Sequence, residues 1–74
     1  MREKDIDFKV RDFVLKELRL AMDYPMNALG CRQRAYGVVF FASNELFSKY
    51  NKELADWWEK NILPMFNTII RRGY

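Results

Sequence analysis

The 74-residue sequence predicts an all-α fold: one small three-helix domain spanning residues 1–74, with a long, Pro-kinked third helix, and paired into a dimer. Three observations lead there. Apolar residues recur three and four apart in three successive segments. Pro25 separates the first two segments, and Pro64 falls inside the third. Half the residues are hydrophobic and 16% are aromatic, whereas a chain this short buries only about 60% of the surface its unfolded form exposes. The surplus apolar surface predicts a second copy to cover it.

Residues 3–22 form the first expected helix. Ile6, Phe8 and Val10 alternate with charged neighbours as in a strand, but Val10, Phe13, Val14, Leu18, Ala21 and Met22 continue at helical spacing. No convincing second strand exists to satisfy a lone one. Glu3, Asp5 and Asp7 suit the positive end of the helix dipole. Pro25 then denies the residue before it a helical conformation and enforces a turn; Pro25 or Asn27 starts the next helix.

The middle run, Ala35 to Ala42, is the least polar part of the chain. From Ala28 onward Cys31, Ala35, Val38, Val39, Ala42 and Leu46 share one side of a helix, a small-residue face that another helix can approach closely. Tyr36 and Phe40 make a bulkier flank. Gly30, Gly37, Phe41 and Asn44 cluster on a different side, where close packing would offset the cost of two glycines, about 1 kcal/mol each. A strand over residues 36–42 competes with this helix, because Val-Val-Phe-Phe favours sheet. Ser43, Asn44 and Ser48 are the candidate boundaries with the third helix.

That helix carries the cleanest pattern: Tyr50, Leu54, Trp57, Trp58, Ile62, Met65, Phe66 and Ile69 on one stripe, with lysines and acids opposite. The stripe keeps its phase across Pro64, which predicts one kinked helix to about Arg71 rather than two. Arg71 and Arg72 suit its negative end, and Gly73 its stop.

Chemistry is constrained more by what is missing. There is no histidine and one cysteine, so no intrachain disulfide forms, and a metal site would need an all-carboxylate shell. No catalytic residue, cofactor site or metal ligand is expected, nor a nucleophilic triad or phosphate-binding glycine loop. Cys31 reads as a small buried hydrophobe. Glu17 and Arg32 each interrupt an apolar face, which predicts an ion pair between the first two helices; the alternative places Glu17 at a wetted rim.

The expected function is a non-enzymatic, self-associating interaction or structural module. Its interface would use Trp57, Trp58 and Phe66 of the third helix with Phe8 and Leu15 on the exposed flank of the first. The competing reading is a DNA- or RNA-binding accessory protein using Arg32, Arg34, Arg71 and Arg72. The net charge of +3 forms no polybasic stripe: residues 1–23 balance six bases against six acids. The second helix is too apolar to read base edges. The N-terminus lacks the apolar run of a secretory signal, and ten residues is the longest uncharged stretch, too short to cross a bilayer. A cytoplasmic location, no membrane and no cofactor are the corresponding expectations.

Overall fold

A computed structural model of the chain describes residues 3–43 and 52–72, with side chains from residue 7 onward. It is all-helical among those residues. Helix α1 spans Glu3–Asp23, a single 3-10 turn Pro25–Asn27 follows, and α2 spans Ala28–Ala42. The third rod, residues 52–72, is made of α3 (Lys52–Trp57), a π-helical turn (Trp58–Ile62) and α4 (Leu63–Arg72).

Tyr24 has φ −131° and ψ 76°, the extended backbone required before proline. The turn is closed by the Tyr24 amide donating to the Leu20 carbonyl at 2.8 Å and the Asn27 amide to the Tyr24 carbonyl at 2.9 Å. Asn27 occupies the cap position of α2, but its side chain makes no capping hydrogen bond. The preceding 3-10 turn already delivers the chain into helical geometry, so the cap expected there is not used.

The turn folds α2 back along α1, and the seam between them is the broadest contact among the described elements. Val10, Val14, Leu18 and Ala21 of α1 meet Ala28, Cys31, Ala35, Val39 and Ala42 of α2, all buried. Small residues on α2 let the two backbones approach, as the spacing predicted. The buried stripe of α1 is narrower than expected, however. Phe13 and Met22 fall on its two edges and remain exposed. The strand alternative for residues 36–42 is overturned, because α2 runs unbroken through them. It stops where the Ser43 hydroxyl turns back to donate to the Val39 carbonyl at 2.6 Å, a local bond that competes with further helix. Expectations placed on Asn44, Leu46, Ser48, Tyr50 and Gly73 lie outside the described residues.

The rod 52–72 covers one side of the seam through Leu54, Trp58, Ile62 and Phe66. These residues repeat every four positions. In an α-helix of 3.6 residues per turn that spacing rotates about 40° per step and would soon leave the core. The π turn corrects the drift. The Leu63 amide reaches five residues back to the Trp58 carbonyl, so this turn takes up an extra residue and returns Ile62 and Phe66 to the core face. It also lies directly before Pro64, whose ring crowds the carbonyl four residues earlier and which has no N–H to donate. The helical path therefore continues through the proline. The rod is not the longest regular helix: α1 has 21 residues, whereas α4 has 10.

Candidate functional site

The side chains singled out by sequence end in different places. Trp58 and Phe66 are not surface residues. Their rings lie 5.7 Å apart, centroid to centroid, inside the core, and Trp58 also meets Tyr36 at 6.0 Å. The every-four repeat of the rod, held in phase by the π turn, points both inward, so neither is available as an interface. Trp57, one position round the helix, is half-buried, with the Arg11 guanidinium 5.0 Å from its ring centroid, a cation–π contact. Phe8 and Leu15 are exposed, Phe8 at 71%.

Glu17 meets Arg34, not Arg32. The Arg34 Nε donates to one carboxylate oxygen and Nη2 to the other, both at 3.1 Å. The reason is helical rotation. Two positions along a helix is about 200°, so the two arginines sit on opposite flanks of α2. Arg34 faces the edge of α1 where Glu17 projects; Arg32 faces α4 and donates from Nη1 to the Asn67 side-chain oxygen at 2.8 Å. Glu17 is mostly covered, whereas the Arg34 side chain is about half exposed. The pair is thus an interhelical clamp at the rim of the seam.

Cys31 lies beneath that clamp and is fully buried. Arg34 Nη2 comes within 3.4 Å of its sulfur. Burial pushes the thiol above its ordinary pKa, and the Glu17 carboxylate, by hydrogen bond and by charge, pushes in the same direction, outweighing the Arg34 cation. A protonated, enclosed thiol is a poor nucleophile. Among the described residues no group of three or more His, Cys, Asp or Glu side chains is placed to hold a metal ion.

A concavity lies on the side of the seam that the rod leaves uncovered. It is an open groove of about 600 Å³ between Val10 and Phe13 of α1 and Gly37, Val38, Phe41 and Ala42 of α2, with Gln33 and Arg34 at its edge. Gly37 does not serve internal packing: a Cβ there would meet nothing within 4 Å, and one at Gly30 would only touch an Arg34 nitrogen at 3.6 Å. This groove was not among the sequence-derived interface residues. Its signal was the clustering of Gly30, Gly37 and Phe41 away from the small-residue face. No helix among the described residues is long and apolar enough to cross a membrane. Comparisons of the chain with models of known protein families, with curated proteins and with solved structures find no match.

Proposed function

We propose that the protein is a non-enzymatic helical interaction module that self-associates through the open side of the α1–α2 seam. The observation that carries this is the exposure of Phe13 and Phe41, each more than a third accessible where it lines the groove, on a domain whose other side is well packed. Covering apolar surface is worth roughly 25 cal/mol per Å². Phe13 and Phe41 flank a concave face, and Gly37 between them leaves room for a partner backbone. In this reading a second copy replaces the tryptophan interface expected from sequence, while Phe8 and Leu15 form a separate apolar strip on the other edge of α1. The rod 52–72 bends at the π turn before Pro64, and the module works in a reducing, cytoplasmic setting suited to a free buried thiol.

Sedimentation velocity across a dilution series tests the proposal. Phe41→Asp should shift the protein to monomer without loss of helical circular dichroism. A wild-type chain that stays monomeric at its highest soluble concentration removes it. The nucleic-acid alternative keeps one supporting observation, namely that Arg32, Arg71 and Arg72 sit towards one end of the molecule. A steep loss of oligonucleotide affinity with salt would favour it.

A further inference from the structure

Among the described side chains, the net charge is gathered at one pole. Here α1 ends, α2 begins and α4 finishes: Met22 and Pro25 share a shallow groove with Ile69 and Arg72, and this adjoins a second groove formed by Met22, Pro64, Met65, Thr68 and Ile69. Residues 19–32 and 67–72 contain four arginines, Arg19, Arg32, Arg71 and Arg72, against the single acid Asp23, a balance of +3. Among the described side chains the other positions carry six basic and six acidic residues, which cancel, so the pole holds their entire net charge.

The same pole is apolar at its tip. Met26 is 74% exposed, the highest value for any large hydrophobic side chain among the described residues, with Met22 at 62% and Tyr24 at 57%. Arg19, Arg71 and Arg72 are exposed around them. Arg32 is tied to Asn67 and contributes mainly its field.

We propose that this pole is a peripheral docking surface for an anionic lipid bilayer. The turn carrying Tyr24, Pro25 and Met26 enters the headgroup region while the arginines meet acidic headgroups. Charge complementarity alone would also suit the phosphates of a nucleic acid, but those would leave the methionines and Tyr24 facing water. A bilayer interface takes both parts, with the apolar tip at the acyl boundary and the cations among the headgroups. The mixed charges of Lys52, Glu53, Asp56, Glu59 and Lys60, which argue against lipid binding by the third rod, belong to the part of the chain that cancels.

The test is co-sedimentation with vesicles of phosphatidylcholine alone or mixed with phosphatidylserine. The protein should bind the mixed vesicles at low salt, release at high salt, and ignore the neutral ones. Arg71→Ala and Arg72→Ala should each weaken binding about fivefold, and Met26→Ser should weaken it with circular dichroism unchanged. The double substitution Lys9→Ala with Lys16→Ala, which lowers net charge away from the pole, should leave binding intact. Equal binding to neutral vesicles, an equal loss in the lysine variant, no vesicle binding, or tighter binding to an oligonucleotide or an acidic peptide would each overturn the proposal.

Discussion

The two sides of the α1–α2 seam differ in what finishes them. On one side Leu54, Trp58, Ile62 and Phe66 descend from the rod 52–72 and seal the seam. On the other, Phe13, Gly37, Val38 and Phe41 line an open apolar groove. Both sides look alike as sequence, since each is a set of large hydrophobic residues beside small ones. Burial separates them, and it depends on which side the third rod takes. A helical hairpin has two flanks, and a single further rod can cover only one.

Substitution should expose that asymmetry most clearly. Phe66→Ala should cost about 3–5 kcal/mol, comparable to the whole stability expected of so small a core, and leave the chain largely unfolded in chemical denaturation. Phe41→Ala on the open side, where the ring is about half exposed, should cost less than Phe66→Ala when measured at a concentration where the protein is monomeric. Similar losses at the two sites would mean that the open side is covered within the monomer.

Glycine substitution sharpens the same contrast. Gly37→Ala should stabilise the monomer by about 1 kcal/mol, because a Cβ enters open space and helix propensity improves. If the groove receives a second copy closely, the same change should weaken the assembly, so denaturation and sedimentation should move in opposite directions.

A smaller effect concerns the thiol beneath the clamp. The folded state holds the Cys31 proton more tightly than the unfolded chain does, so its contribution is fully present at neutral pH. Stability should decline as pH rises beyond the ordinary thiol value of about 8.5. Cys31→Ala should remove that component of the slope, and alkylation of the wild-type thiol at neutral pH should track unfolding. The smallest expected signal is coupling at the rim. A double-mutant cycle on Glu17→Gln and Arg34→Gln should show non-additivity, whereas the Glu17 and Arg32 cycle should be additive.

Much of the fold was legible in the residues. The limits of α1, the turn at Pro25 and the buried set Ala28, Cys31, Ala35, Val39 and Ala42 all follow from spacing and from proline stereochemistry. Charge pairing was not legible, because Arg32 and Arg34 are near neighbours in the chain yet lie on opposite flanks of α2. Leu54, Trp58, Ile62 and Phe66 all belong to the apolar stripe read from the sequence; what periodicity calculated for a uniform α-helix does not anticipate is the π turn that keeps them in phase.

The sequence by itself determined the helices and their apolar faces, because hydrogen bonding within a helix and side-chain periodicity are local. It also determined the excess of arginines near the α1–α2 turn and the α4 terminus. Only the tertiary structure decided which apolar face became core, which arginine met Glu17, and that the two arginine-bearing segments share one pole. Those outcomes depend on how rods rotate and dock against one another over long sequence separations, and no local pattern encodes that rotation.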